Sequence, residues 1–169
     1  MDLHRLLRPE PPWLHLLVAP ESPDFQALAG LAGSAPGGVV TRVIRGHKAR
    51  TKAALFDEFA AALQFPDYFG ENWDAFDECL NDLRWLPGDG YILLIYQSNR
   101  LLEGAPSDQL QLFLNILEDA GREWSKPVSD QWPHPPKPFH VILVCPKEDE
   151  ACLRDKLRAA NVSFDVLHR

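Results

Sequence analysis

The chain has 169 residues and a mass of 19.1 kDa, the size of one domain able to bury roughly 68–70% of the surface its unfolded form exposes. Hydrophobic residues at 46% and charged residues at 24% exclude wholesale disorder, a collagen-like repeat and a coiled coil. With 24 acids against 17 bases, the net charge of -7 and pI near 5.3 argue against a general nucleic-acid binder held by phosphate contacts and favour a basic partner.

Residues 1–13 mix His4, Arg5, Arg8 and Glu10 with prolines and hold no apolar run of signal-peptide length. No stretch reaches the roughly 20 apolar residues that a bilayer requires, so the expectation is a cytoplasmic protein without membrane contact. Residues 13–18 form a candidate strand, and residues 19–38, with their Pro and Gly, a loose link carrying one short helix. Three apolar runs, 39–44, 91–96 and 139–145, are rich in β-branched and aromatic residues and lack strict alternation, as strands buried on both faces do. Between the first two lie two helical patterns: Leu55, Phe56, Phe59, Ala62 and Leu63 behind a Thr51 cap, then Phe76, Cys79, Leu80 and Leu83 behind an Asn72 cap. A third helix follows Ser107 or Asp108, with Leu110, Phe113, Leu114 and Leu117 on its face and Gly121 as its stop.

This alternation predicts an α/β fold with a small parallel sheet and crossover helices. Residues 39–146 form its core, residues 1–38 an N-terminal extension, and residues 147–169 a C-terminal helix and strand of the same domain. In the last segment Leu153, Leu157 and Ala160 share a helical face, while Val162, Phe164 and Val166 alternate. Five of the twelve residues in 127–138 are proline, which forbids a helix and predicts an exposed loop.

Most cofactor chemistry lacks a motif. Cys79, Cys145 and Cys152 are odd in number and contain no C-x-x-C pair, and His134 and His140 lack metal-ligand spacing, so neither a disulfide framework nor a metal site is expected. Gly37-Gly38 and Gly88-Asp89-Gly90 read as turns into strands and imply no nucleotide or other cofactor. Arg42, Arg45, Lys48, Arg50 and Lys52, with His47 among them, form a basic run without aromatic interleaving. It reads as a solvated strand edge and helix entry, or as a counterweight within the fold to the acidic helix that follows.

Residues 67–82, DYFGENWDAFDECLND, carry six acids and no base. On a helix starting near Asn72, Asp74, Glu78 and Asp82 recur at i, i+4 and i+8, with Asp77 beside Glu78. Like charges at that spacing repel by about 0.2–0.5 kcal/mol per pair. The helix dipole favours Asp74 alone, because its effect fades beyond the first turn. A cationic partner accounts for the rest, and Tyr68, Phe69 and Trp73 beside the acids supply candidate anchor area. Adjacent helical acids splay, and no nucleophile or phosphate loop accompanies them, so no enzyme and no small-molecule substrate are expected.

The run Tyr68-Phe69-Gly70-Glu71-Asn72-Trp73-Asp74-Ala75-Phe76, followed by Asp77-Glu78-Cys79-Leu80, resembles the barstar family: an aromatic pair, Gly, an acid, Asn, then an Asp-Ala helix ending in Cys-Leu. The resemblance implies a three-stranded parallel sheet over residues 39–145, here enlarged at both termini. It also implies an intracellular inhibitor whose acidic helix occludes the active site of a basic ribonuclease or related toxin. By position, Tyr68, Asn72, Asp74 and Glu78 fall where the family's best-known member meets its enzyme, and Phe69, Trp73, Asp77 and Asp82 complete the expected partner surface. Glu78 stands where that member has Asp, and Asp77 where it has Trp. A further contact acid falls at Glu118 or Asp119. The alternative reading is a non-catalytic interaction scaffold that uses the Pro-rich loop for a different partner.

Overall fold

The computed structural model describes residues 3–19 and 38–168. Residues 20–37, where a link with one short helix is expected, lie outside them. Five strands, β1 (Leu14–Val18), β2 (Val39–Arg45), β3 (Gly90–Tyr96), β4 (Phe139–Cys145) and β5 (Phe164–Leu167), form one sheet in the order β2-β3-β4-β1-β5. Every neighbouring pair is parallel, in registers such as Val40 with Tyr91, Leu93 with Val141, and Leu14 with both Val141 and Phe164. The sheet therefore has five strands rather than three. The two terminal strands do not form separate layers, because β1 pairs with the outer side of β4 and β5 then pairs with β1. This makes β4 an interior strand, buried at all seven positions.

Four helices connect the strands: α1 (Lys52–Leu63), α2 (Trp73–Asp82), α3 (Ser107–Trp124) and α4 (Glu150–Ala159). From β2 through β3 and β4 to β5 the chain steps across the sheet in one direction, so crossovers of one hand place all four helices on one face. Their apolar stripes meet there: Leu55, Phe56 and Phe59 from α1, Phe76 and Leu80 from α2, Phe113 and Leu117 from α3, and Leu153 and Leu157 from α4 pack on Leu14, Leu16, Ile44, Leu93, Ile95, Val141 and Leu143. The opposite face gathers Leu17, Ile92, Leu94, Ile142 and Val144, with Leu6 of the 3-10 turn Leu3–Leu7 packed on it.

Three expectations about element limits, capping and burial are corrected. β2 is an edge strand, half-exposed over most of its length with Val43 open to solvent, and not buried on both faces. Gly121 does not stop α3, which runs to Trp124. It sits in the helix because a Cβ there would lie 2.3 Å from Cγ of the buried Trp13, so its bare backbone lets the N-terminal segment approach. Ser107 is the first residue of α3, and neither it nor Asp108 is the cap.

On the second face three polar residues line up across β5, β1 and β4. His15 Nδ1 meets the Asp165 carboxylate, whose other oxygen pairs with Arg5. His15 Nε2 lies 2.9 Å from His140 Nδ1, and His140 Nε2 donates to the Arg8 carbonyl at 2.8 Å. Both rings are fully buried. Burial pushes the pKa of His15 down against the pull of Asp165, and that of His140 down to about 4. The file ties the first turn to both terminal strands. Among the described residues no helix is long and apolar enough to cross a membrane.

Candidate functional site

The expected partner segment is built by a tight connection between α1 and α2. Gln64 closes α1 in the left-handed region (φ 54°), and Glu71 adopts a similar backbone (φ 51°). Asn72 caps α2 as its position predicts, its Oδ1 accepting from Ala75 N at 2.9 Å while its Nδ2 donates to the Gly70 carbonyl at 3.2 Å. At the far end Leu83 turns left-handed (φ 46°), and its N–H returns to the Cys79 carbonyl. The ten-residue helix is thus fixed at both ends.

Its inner face carries Phe76, Cys79 and Leu80. Two of the aromatic residues expected at the partner surface pack beneath it. The Trp73 ring meets Phe56 edge-on at 5.0 Å between centroids, and its Nε1 donates to Gln109 Oε1 at 2.8 Å. Phe69 meets Phe56 and Phe65 edge-on, at 5.6 and 5.0 Å. Both are only partly exposed and form a rigid aromatic floor, whereas Tyr68 stands 66% exposed.

On the outer face Asn72, Asp74 and Glu78 are exposed and Asp77 is partly buried. Spacings of three and four residues place Asp74, Asp77 and Glu78 side by side. No cation pairs with these three among the described residues. Burial first, then the nearby Asp119, then Asp74 and Glu78 raise the pKa of Asp77; a hydrogen bond from Asn81 opposes them. Asp119 on α3 thus lies near the acidic face, although Arg122 of the same helix holds its carboxylate at 2.6 Å. Glu118 is turned elsewhere, accepting from Ser163 N at 2.8 Å. Asp82 differs from its neighbours, because both its oxygens hold the Arg84 guanidinium, at 2.6 and 2.9 Å.

Two of the five bases of the basic run are ion-paired within the fold, while Arg42 bonds only a carbonyl and Lys48 and Lys52 have no ion pair among the described residues. Arg45 clasps Glu58 at 2.6 and 3.1 Å, Arg50 pairs with Glu103, and Arg42 donates to its neighbour's carbonyl. Its counterweights are thus Glu58 and Glu103 and not the acids of α2. His134 stacks on Trp124 and His140 belongs to the buried file, so the two histidines never meet Cys145, whose thiol burial pushes up to about 11. Among the described residues no three His, Cys, Asp or Glu side chains come together as a metal site.

Sequence reasoning passes over Arg84 and Trp132. Arg84 is the first base after a run of acids, and its guanidinium lies 5.1 Å from the centre of the exposed Trp132 ring in the Pro-rich loop. A lone aromatic among prolines was the available signal.

A family model described as Barstar (barnase inhibitor) matches residues 39–143. No curated protein matches the chain. Among solved structures, one similar chain belongs to "Structure of Drosophila ORC bound to AT-rich DNA and Cdc6", at 14% identity and a TM-score of 0.49. The alignment covers 96% of this chain and 49% of that one, so this chain spans about half the length of the structure it matches.

Proposed function

The chain belongs to the barstar family, a family of inhibitors whose partner is a protein, and from that premise we propose that it binds and occludes the active site of a basic ribonuclease or related toxin, without chemistry of its own. The observation that carries this reading is the group of unmatched acids on one rigid surface. Asp74, Asp77 and Glu78 face outward from a helix capped at both ends, and no cation of the described residues pairs with them. Within a monomer this arrangement costs stability; against a cationic active site it becomes complementary.

The physics favours inhibition. Carboxylates already held on a short fixed helix lose little freedom on docking, and opposite fields accelerate encounter. Set side by side, they stand in for the phosphates of RNA before the Arg, Lys and His residues of a nuclease. Tyr68 adds aromatic contact area at the rim, Asn72 holds the cap, and Phe69 and Trp73 support the surface from below. Asp82 acts indirectly by holding Arg84. Glu78 reaches one methylene further than the family's usual Asp, and Asp77 replaces a bulky aromatic with a charge. Both changes favour a nuclease whose active site is wider or more basic than the usual target.

Calorimetric titration into a panel of microbial basic ribonucleases, with activity assayed alongside, tests the reading. The expected result is 1:1 binding that abolishes cleavage and is lost in Glu78→Ala but retained in Asp155→Ala. Equal effects of the two substitutions would contradict it.

A further inference from the structure

Among the described residues four large apolar side chains are exposed: Val43, Tyr68, Leu112 and Trp132. The two aromatics stand on either side of the same ridge. A depression of about 290 Å³ lies between Tyr68 and the ridge of Glu78, Asp82 and Arg84; a groove of about 710 Å³ lies between that ridge and Trp132. Tyr68 already belongs to the proposed partner surface. Trp132 is its counterpart across Glu78.

The loop carrying Trp132 is held in place. Val128 and His134 exchange backbone hydrogen bonds at 3.0 and 2.9 Å, closing the intervening residues into a hairpin, and Asp130 Oδ1 accepts from Trp132 N at 3.3 Å. The His134 ring stacks on Trp124 at 4.9 Å, and Lys137 donates through its backbone to Trp124 and through Nζ to the Gly88 carbonyl. Arg84, gripped by both oxygens of Asp82, lies against the Trp132 ring. The last turn of α2 thus sets the position of the loop.

We propose that the hairpin of residues 128–134 is the second wall of the partner-binding surface, and that Trp132 is an anchor for the flank of the same basic ribonuclease that meets α2. The inference rests on the inhibitor reading and adds to it a residue that selects the target. The groove is continuous with the acidic face through Glu78. Its bases are already engaged, Arg84 by Asp82 and Lys137 by Gly88, while Glu78 on one wall and Asp130 on the other are left to meet positive charge. A large aromatic side chain held exposed on a rigid loop beside charge loses little entropy when a partner covers it, as interface anchors do.

The test titrates Trp132→Ala, Trp132→Phe, Arg84→Ala and Glu78→Ala into the ribonuclease panel, with thermal unfolding of each free variant. Trp132→Ala is expected to weaken binding about tenfold or more, mainly through faster dissociation, with unfolding unchanged. Trp132→Phe should restore most of the affinity, and Arg84→Ala should cost about two- to fivefold by releasing the loop. Binding within about twofold of the unsubstituted protein for Trp132→Ala, while Glu78→Ala abolishes it, would overturn the second wall and leave the inhibitor reading standing. No binding by any ribonuclease, or indifference to Glu78→Ala, would overturn both.

Discussion

The chain carries two runs of like charge of similar prominence, and the fold treats them differently. Two of the five bases around β2 are drawn into pairs with acids of the fold, Arg45 with Glu58 and Arg50 with Glu103. The acids of α2 are left facing one another, with Asp77 pressed towards its neutral form by burial and by Asp119. On the proposed reading, a charge run marks a binding face where the surrounding elements leave it unpaired. The difference lies in the acids that α1 and the segment before α3 supply to Arg45 and Arg50, whereas the base α3 carries nearby, Arg122, is taken up by its own Asp119.

The largest expected effect separates the two regions by binding. Asp74→Ala and Glu78→Ala should each weaken ribonuclease binding by about 2–5 kcal/mol, the range for charges buried in an interface, for which ribonuclease–inhibitor pairs of this family are themselves reference cases. Arg45→Ala should leave binding unchanged in the same titration. A comparable loss at Arg45 would erase the distinction.

A third group of titratable side chains, the buried histidine file, sharpens the contrast because burial there opposes protonation of both rings. His140 is accommodated only when neutral, while in the unfolded chain it takes a proton near pH 6.5. Its stabilising contribution is therefore complete above about pH 6.5 and is lost as pH falls towards about 4, by roughly 3 kcal/mol over that interval. Denaturant unfolding of the protein and of His140→Gln across this range should show the steeper fall in the unsubstituted chain.

Asp77→Asn should act in opposite directions on stability and binding. Removing a carboxylate whose pKa the fold raises relieves its burial cost and the repulsion of its neighbours, so the free protein gains stability at neutral pH while nuclease affinity drops. Because a raised carboxylate pKa means stability lost as pH rises through it, the gain should shrink as the pH is lowered and Asp77 itself takes a proton. Loss of stability in the variant at pH 7 would show that the acids are not in conflict. The smallest effect is expected at the matched pair: Arg45→Ala should leave thermal and denaturant unfolding nearly unchanged, as exposed ion pairs do.

Much of this was legible in the sequence where the signal is local. Thr51 and Asn72 cap the helices they precede, and the three- and four-residue spacing of Asp74, Asp77 and Glu78 places them on one face. Pairing between distant segments was not legible. Residues 13–18 and 162–166 read as strands, but nothing in either says that one joins β4 and the other joins the first. Gly121 looks like a helix stop until Trp13, far away in sequence, is seen lying on it. Trp73 and Phe69 looked available for a partner because aromatic residues beside acids do not reveal which side of a short helix holds the core. Asp82 falls on the acidic period but is claimed by Arg84 just beyond the left-handed cap, where helical periodicity no longer applies.

The central claim is that unmatched charge, and not merely shape, makes α2 an inhibitor surface. The most direct measurement compares inhibition of the ribonuclease that binds by the unsubstituted protein and by a triple variant carrying Asp74→Asn, Asp77→Asn and Glu78→Gln, which keeps side-chain size and removes three charges. The account predicts that the variant unfolds at the same or a higher temperature and no longer inhibits cleavage. A folded variant that inhibits as strongly as the unsubstituted protein would contradict it.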